Sequence, residues 1–457
     1  MKMIKLIREL AMGCMLSLVF VSCSEDTRKF QSNTFAELDS FVSSVEGNGG
    51  CMGAISVYDG TEEAYGRSWG YSNVMNQVPN GEETCYRLGS VSNLYTAVVV
   101  MKLIEDGKLS LDSKLSEFFP SIVQAPKITV EDMLRHRSGI FNIFFDLNYW
   151  SYYRTSMSKE ELVSKIQSHG LVSAPGTKSQ VSASNYILLS MIAEQVSGQS
   201  YGKLVDSLIC VPLGLKNTYD GNYEDSKEGA EANSYYDKKP DWNLADKTNL
   251  STVYGESSMI STPSEVAKFV SAVLAGKIVS LETLEKMEEF GNGMGIGFYQ
   301  KNNEDGSLSI SGNIDGFFAD VVYFKKEGRN MVAVCLLNGV NRPFSLVSHV
   351  VDLVKDSNAV LPTLKQMTEL SSDEENSYVG VYSNKQYAIT FEIVKSEDGR
   401  CLKLKTSYSS NPVYMECYKN GEFSAEIVAE EVPVHFSVSK DKHTLFLDNG
   451  MELVRES

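Results

Sequence analysis

Two periodicities of apolar residues divide the first part of the chain into strands and helices. The segments MGAISVYDG and EEAYGRSWGYS are predicted to be two strands joined by a turn at Asp59-Gly60. Apolar residues then recur at helical spacing from about Val91 to Gly107, and again in NYILLSMIAEQVSG, which ends at Gly198. The chain therefore begins with strands and continues into helices.

Further helices and a second hairpin follow the same kind of pattern. Thr129 and Thr262 stand where helix N-caps are expected, and Pro263 fits the first turn of the second of these helices. Later, FFADVVYF and NMVAVCLLN predict a hairpin around Glu327-Gly328. Strands at both ends bracket a helical middle, so we expect a sheet built from both termini with an inserted helical region.

The pattern changes near residue 365. An acidic segment, SSDEENS, is predicted to be a solvated hinge that contains Asp373, Glu374 and Glu375. Seven short alternating segments follow, namely YVGVY, YAITFEIV, CLKLKTSY, VYMECY, FSAEIV, VHFSVS and HTLFLDN. Their spacing is typical of an all-β sandwich or small barrel. The predicted class is α+β, with a main domain over 35–360, a hinge over 361–376 and a β domain over 377–457.

Composition narrows the range of partners. Acidic residues number 59 against 42 basic ones, and the net charge of −17 disfavours binding to nucleic acid. The cysteines form no CxxC pair and only five histidines are present, so neither a metal site nor a cofactor is expected. Cys401 and Cys417 are placed either to face each other across a turn or to stay free as buried thiols.

The N-terminal segment is typical of an export signal. A basic stretch is followed by the apolar AMGCMLSLVFVS, which predicts a signal peptide over 1–22. The run Phe20-Val21-Ser22-Cys23 resembles a bacterial lipobox, so lipidation at Cys23 and a tether over 23–34 are expected. An ordinary cleaved signal is the alternative. The expected location is the outer membrane of a Gram-negative bacterium, with a lipid anchor and a periplasmic or cell-surface orientation.

Several segments resemble the penicillin-recognising serine hydrolases, which include class C β-lactamases, DD-carboxypeptidases and related esterases. They are LGSVSNLYTAVVVMKLIEDGKLSLDSKLSEFFP, ITVEDMLRHRSGI, PGT…SNYILLSMIAEQVSGQSY, VPLGLKNT, STPSEVAKF and GNIDGFF…VAVCLLN. The resemblance covers roughly residues 35–355 and implies a β-lactamase/transpeptidase-like domain. The C-terminal strands resemble the lipocalin-like barrel that often follows such domains.

The resemblance also places the catalytic positions. The family needs a Ser-x-x-Lys motif at a helix start, a Tyr-x-Asn loop and a Lys/His-x-Gly strand. Ser90 occupies the nucleophile position, but Asn93 replaces the lysine. Val181 replaces the tyrosine, and Ile310 replaces the cation of the strand motif. Because a serine needs a base to take its proton, these replacements point to lost turnover.

Other candidate ligand contacts lie in the strand motif and in an aromatic stretch. Ser311 and Gly312 follow Ile310, and FNIFFDLNYWSYY borders the cleft in the family. The aromatic candidates are Tyr149, Trp150, Tyr152 and Tyr153, together with Phe144 and Phe145. They either stack on a sugar or peptide or form a hydrophobic lid. His136 is expected to be a scaffold histidine rather than a base.

Two main functions remain open from the sequence. The first is a membrane-anchored pseudoenzyme that binds a cell-wall fragment such as peptidoglycan, a peptide or a protein partner. The second is an active hydrolase of the esterase, DD-peptidase or β-lactamase type that uses Ser90 with a base the sequence does not identify. A third alternative assigns the function to the C-terminal β domain.

Overall fold

The structure is a computed structural model that describes most of the chain from residue 32 to residue 456. The description omits 224–230, 239–240, 291–293, 341–345, 427–432, 448–449 and the positions 363, 365, 398, 400, 408 and 419–420. The predicted signal peptide and Cys23 lie outside the described residues. In the described part of the chain, no helix has the length and apolar character needed to cross a membrane.

Short helices dominate the middle of the chain. They are α1 (Ser32–Gly47), α2 (Ser92–Glu105), α3 (Val130–Leu134), α4 (Tyr149–Tyr152), α5 (Lys159–His169), α6 (Ala183–Ser197), α7 (Tyr201–Val205), α8 (Val211–Leu213), α9 (Pro263–Leu274), α10 (Leu281–Met287), α11 (Leu346–Lys355) and α12 (Ser372–Tyr378). A 3-10 turn, Gly89–Val91, leads directly into α2. The capping predictions are confirmed, since the side chains of Thr129 and Thr262 accept hydrogen bonds at the starts of α3 and α9.

Strands lie before and after this helical region. They are β1 (Cys51–Asp59), β2 (Glu62–Trp69), β3 (Tyr71–Asn73), β4 (Val78–Pro79), β5 (Tyr86–Arg87), β6 (Tyr219–Asp220), β7 (Tyr235–Lys238), β8 (Trp242–Leu244), β9 (Met259–Ser261), β10 (Gln300–Lys301), β11 (Leu308–Ile314), β12 (Phe317–Lys326), β13 (Arg329–Val340), β14 (Gly380–Asn384), β15 (Ile389–Lys395), β16 (Leu402–Thr406), β17 (Ser409–Cys417), β18 (Glu422–Glu426), β19 (Pro433–Val438), β20 (Thr444–Leu447) and β21 (Glu452–Arg455).

The main sheet joins the two ends of the first domain, as the sequence predicts. Its order is β10-β11-β12-β13-β1-β2, with β7 and β8 attached beside β13. Strand β1 runs antiparallel to β13, from Cys51 opposite Val340 to Asp59 opposite Met331. The hairpin predicted at Glu327-Gly328 is the β12–β13 connection.

Each face of this sheet covers a different core. On one face, Val334 and Leu336 belong to a large core that includes α2, α6 and α9. On the other face, Ala333 and Cys335 pack with α1 and α11. The alternation of side chains along β13 explains how one strand contributes to both cores.

The C-terminal strands form a closed barrel, β14 to β21, in which Tyr382 of β14 pairs with Arg455 of β21. Aromatic and aliphatic side chains such as Phe391, Phe423 and Phe436 fill its interior and give it a core of its own. The chain is therefore an α+β domain followed by a closed antiparallel barrel.

Some segments differ from the sequence predictions. The acidic hinge is helical: Ser371 and Glu374 form a capping box at the start of α12, and Glu375 is only 9% exposed. Asp373 and Glu374 are exposed, but they belong to a helix that packs its Tyr378 into the barrel core and not to an irregular hinge. Helix α1 begins within the predicted tether, and β21 is an eighth strand beyond the seven predicted.

Candidate active site

Ser90 lies at the crossing of a helix start and a strand. It is half-buried in the 3-10 turn before α2, and β11 passes directly beside this turn. A Cβ atom added to Gly312 would lie 2.5 Å from the Ser90 backbone nitrogen, and one added to Gly89 would lie 2.7 Å from the Asn313 nitrogen. Since Cβ atoms do not approach other atoms so closely, the two glycines allow this crossing.

A carboxylate accepts the hydrogen bond of the Ser90 hydroxyl. Ser90 Oγ donates to Glu256 Oε1 over 2.8 Å. Glu256 lies between the 3-10 turn Leu250–Val253 and β9, and it is 1% exposed. The sequence analysis did not identify this carboxylate, which stands where a base for Ser90 is needed. The physical reason is that a contact across 166 residues leaves no local sequence pattern.

Hydrogen bonds hold both oxygens of Glu256. Ser257 Oγ donates to Oε2 over 2.5 Å, and Asn93 Nδ2 donates to Oε1 over 3.3 Å. Burial raises the pKa of Glu256, although the hydrogen bonds from Ser257, Ser90 and Asn93 lower it in part. A buried carboxylate with a raised pKa is a stronger proton acceptor than an exposed one.

Asn93 also donates to the hydroxyl of Tyr299. Tyr299 lies directly before β10, the strand that precedes β11, and burial together with the charge of Glu256 raises its pKa well above the ordinary value. Its hydroxyl therefore stays protonated and acts only through hydrogen bonds. Sequence reasoning identified Asn93 but missed Tyr299.

The other positions named from the family motifs carry no proton-transferring group. Val181 is half-buried just before α6. Ile310 is completely buried in the large core. Ser311 is exposed and lies on the opposite face of β11 from Ile310 and Gly312, because side chains alternate along a strand. The structure therefore brings Gly312 to Ser90 but directs the Ser311 side chain away from it.

His136 has a scaffold environment. It is 1% exposed, and its Nδ1 atom lies 3.2 Å from the Ser182 amide and from Asn185 Nδ2. Burial lowers its pKa to about 3, so the ring is neutral at physiological pH. Its ring packs edge-on against Tyr299 at 5.4 Å between centroids.

The aromatic stretch forms a cluster at the edge of the site. The rings of Tyr149, Trp150 and Tyr153 lie 5.3 to 6.1 Å apart between centroids. Tyr149 is buried, and its pKa is raised mainly by burial and further by the charge of Glu256. Trp150 is 73% exposed, whereas the Tyr152 hydroxyl donates to Asp146 Oδ2 over 2.9 Å. The cluster therefore extends from the neighbourhood of Glu256 to the surface.

A charged network fills the space beside the turn. Arg87 donates to Asp315 Oδ2 and to Glu231 Oε1, both over 2.9 Å. Lys247 donates to the same Glu231 oxygen over 2.7 Å, and Thr248 binds Asp315 through its amide and hydroxyl. The guanidinium is therefore engaged by two carboxylates.

The cysteines and carboxylates build no metal or disulfide centre in the described part of the chain. Cys401 and Cys417 form no disulfide bond in the described part of the chain, and neither do Cys51, Cys85, Cys210 and Cys335. No group of three or more His, Cys, Asp or Glu side chains among the described residues has the arrangement of a metal site.

This fold and this site define a class of serine hydrolase-like proteins. The Beta-lactamase family model matches residues 38–351, and the chain belongs to that family. PbpX of Bacillus subtilis (strain 168), a protein named for penicillin binding, is 27% identical over 286 residues, which are 62% of this chain and 70% of PbpX. A teichoic acid D-alanine hydrolase of Staphylococcus aureus is 23% identical over 294 residues, 63% of this chain and 70% of the hydrolase.

Solved structures show the same fold. A penicillin-binding protein homologue from Pyrococcus abyssi has a TM-score of 0.64 at 22% identity and covers 92% of this chain and 100% of its own. A D-amino acid amidase from Ochrobactrum anthropi SV3 has a TM-score of 0.60 at 23% identity and covers 72% and 99%, respectively.

Proposed function

We propose that the protein is a serine hydrolase that cleaves esters or amides, with Ser90 as nucleophile and Glu256 as general base. The observation that carries this proposal is the 2.8 Å hydrogen bond from Ser90 Oγ to Glu256 Oε1. A base within hydrogen-bond reach is what a serine hydroxyl needs to attack a carbonyl carbon. Glu256 comes from a different element than the lysine, tyrosine and cation positions that this chain has lost.

The two half-reactions need one proton acceptor that works twice. Ser90 Oγ attacks the carbonyl carbon while Glu256 takes the hydroxyl proton, and the protonated Glu256 then gives that proton to the leaving alcohol or amine. In the second half, Glu256 takes a proton from water as the water attacks the acyl-serine, and the proton returns to Ser90 Oγ as the acid leaves. A positioned base of this kind contributes about 10²–10⁴ in rate.

The backbone at Ser90 supports the same proposal. The Ser90 amide lies at the beginning of a helical turn, where N–H groups are available to a developing oxyanion. Gly312 keeps β11 against this amide without a side chain in between.

The charges around Ser90 favour substrates without a carboxylate beside the scissile bond. Arg87 and Lys247 are matched by Asp315 and Glu231. Among the described contacts of Glu256 there is no cation, so its ionised form leaves a net negative charge under the acyl group. Like charges within about 5 Å at a partly screened site repel by about 3 kcal/mol.

The names of two relatives agree with acyl-transfer chemistry. A teichoic acid D-alanine hydrolase and a D-amino acid amidase are both hydrolases of ester or amide type by name, and the chain resembles both. We extend to this chain only the general class, hydrolysis at an acyl carbon. Anchoring to an outer membrane through Cys23 belongs to the proposal as well.

A second candidate function is binding without turnover, to a cell-wall fragment, a peptide or a protein partner. The observation that favours it is that Asn93, Val181 and Ile310 stand where the family has its proton-handling and cationic groups. In this alternative Glu256 would only accept hydrogen bonds from Ser90, Asn93 and Ser257 and would transfer no proton.

Covalent labelling separates the two functions. The intact mass of the protein is measured after exposure to a fluorophosphonate and, separately, to a penicillin. We expect a fluorophosphonate adduct in the wild type and none in Ser90→Ala. The absence of any adduct in a wild-type protein shown to be folded by circular dichroism would favour the binding function. Penicillin, which carries a carboxylate, is expected to label Ser90 more slowly than the uncharged reagent.

A further inference from the structure

Asn93 connects three elements that meet below Ser90. It lies in the first turn of α2, three residues after Ser90, so the two side chains lie on the same side of the helix start. Its Nδ2 donates to Glu256 Oε1 over 3.3 Å and also to the hydroxyl of Tyr299. Asn93 is completely buried. A side chain at this point holds together the start of α2, the loop before β9 and the segment before β11.

The orientation of the Asn93 amide matches an ionised Glu256. The amide nitrogen lies between two oxygen atoms, whereas Oδ1 accepts no hydrogen bond from the described residues. The reverse orientation would place Oδ1 against the carboxylate, where two partly negative oxygens repel each other. In the observed orientation, Oδ1 accepts no hydrogen bond from the described residues, but Nδ2 donates to Glu256. This hydrogen bond stabilises the charged carboxylate.

We propose that Asn93 is a positioning residue that keeps Glu256 ionised beside Ser90, a role that rests on the proposed function. The two oxygens of Glu256 have different hydrogen-bond partners. Ser257 binds Oε2, so Oε1 is left to face Ser90 and Asn93. The position of the family lysine thus carries a donor that supports a carboxylate base, instead of a base itself.

The other titratable groups near Glu256 do not change their charge at moderate pH, so they do not obscure the titration of Glu256. From α4, α6 and the segment before β11, the hydroxyls of Tyr149, Tyr186 and Tyr299 interact with the charge of Glu256, and burial raises the pKa of all three. The pKa of His136, which packs against Tyr186 and Tyr299, is lowered to about 3. At pH values above the pKa of His136 and below those of the three tyrosines, Glu256 is the group of this set that gains or loses a proton.

The test measures the protonation of Glu256 directly. The infrared C=O band of the protonated carboxyl is assigned by its loss in Glu256→Gln and followed against pH in the full-length protein. Asn93→Leu keeps the side-chain size but removes the donor, and we expect its titration midpoint to rise by about one pH unit, a tenfold change in the ionisation constant. Tyr201→Phe is the control, because the described interactions of the Tyr201 hydroxyl, which hydrogen-bonds with Thr96, do not include Glu256. Its midpoint is expected to stay unchanged.

A kinetic readout separates positioning from a merely structural role. The rate of fluorophosphonate labelling of Ser90 is expected to fall about tenfold in Asn93→Leu at pH values below the midpoint and to approach the wild-type rate at high pH. An equal loss at every pH, or an unshifted infrared midpoint, would overturn the proposal. Asn93→Ala serves in the same way if the leucine variant does not fold. If wild-type Ser90 is never labelled, the proposed function fails, and the infrared midpoint still decides the role of Asn93.

Discussion

In the proposed mechanism, the reactivity of Ser90 depends on whether the buried Glu256 carboxyl carries a proton. Burial raises the pKa of Glu256, so the carboxyl keeps its proton to a higher pH than an exposed glutamate does. A protonated carboxyl cannot accept the Ser90 proton. Acylation of Ser90 should therefore increase with pH through a midpoint above the usual range of glutamate, and stay high above it.

Restoring the family lysine provides a test at the residue scale. In Asn93→Lys the ammonium would lie beside Glu256, pair with it and lower its pKa, while the pairing would keep the lysine protonated. We expect fluorophosphonate labelling of Ser90 to fall by about 10²-fold, the loss of a general base. The double variant Asn93→Lys/Glu256→Gln removes this pairing and should label faster than the single variant. Faster labelling in Asn93→Lys alone would show that the site is only a degraded lysine-type centre.

At the scale of elements, the crossing of β11 over the start of α2 sets the position of the Ser90 amide. Gly89 has a φ of +50°, and Gly312 faces the carbonyl of Leu88 and the amide of Ser90. The family resemblance predicts that this strand lies beside the nucleophile. The close approach itself depends on backbone geometry that a single sequence does not show.

A methyl group at this crossing should affect both stability and reactivity. In Gly312→Ala the added Cβ would lie 2.4 to 2.8 Å from backbone atoms of Leu88, Ser90 and Val91, so β11 must shift. We expect a loss of about 1–3 kcal/mol in the free energy of unfolding and at least a tenfold slower labelling of Ser90. Gly81→Ala is the control, since no atom lies within 4 Å of its added Cβ. Equal behaviour of the two variants in denaturant titration and labelling would contradict the crossing as described.

Elements with local signals were predictable, and contacts between distant residues were not. Helix α2 and the β12–β13 hairpin follow directly from periodicity and turn residues. Helix α1 was missed although Leu38, Phe41, Val42 and Val45 recur at helical spacing, because it follows the polar region predicted as a tether. Helix α12 was missed because its acidic first turn is equally typical of a linker, whereas the capping box makes it a helix start. Glu256 has no periodic pattern around it, so only the fold reveals its role.

At the scale of the whole molecule, separate cores make the barrel a distinct stability unit. The barrel core includes Phe391, Phe423 and Phe436, and the hydrolase-like domain has its own cores on both faces of the sheet. Phe423→Ala should cost the barrel about 3–5 kcal/mol while leaving the fluorophosphonate labelling of Ser90 unchanged. Calorimetry would follow the barrel transition. A parallel loss of labelling would show that the barrel supports the site.

The net charge around Ser90 is set by residues from distant parts of the domain, and it should select substrates by the charge of their acyl group. Ethyl thioesters of alanine, isobutyrate and methylmalonate have acyl groups of similar shape that carry an ammonium, no charge and a carboxylate, respectively. Because Glu256 Oε1 lies 2.8 Å from the Ser90 hydroxyl that would be acylated, we expect Ser90-dependent kcat/KM to fall by roughly tenfold at each step of this series. Thiol release in wild type and Ser90→Ala measures it, with both enantiomers of the alanine and methylmalonyl esters. Preference for the methylmalonyl ester would contradict the proposed charge selection.

The most direct measurement of the central claim is the rate of Ser90 acylation by a fluorophosphonate as a function of pH, in wild type and in Glu256→Gln. Glutamine keeps the shape of the side chain and one acceptor oxygen, but its NH2 group donates hydrogen bonds, and it takes up no proton. We predict a wild-type rate that rises through one midpoint and a Glu256→Gln rate that is lower by about 10²–10⁴ at high pH and has lost that midpoint. The same rate and the same pH dependence in both proteins would contradict Glu256 as the base for Ser90.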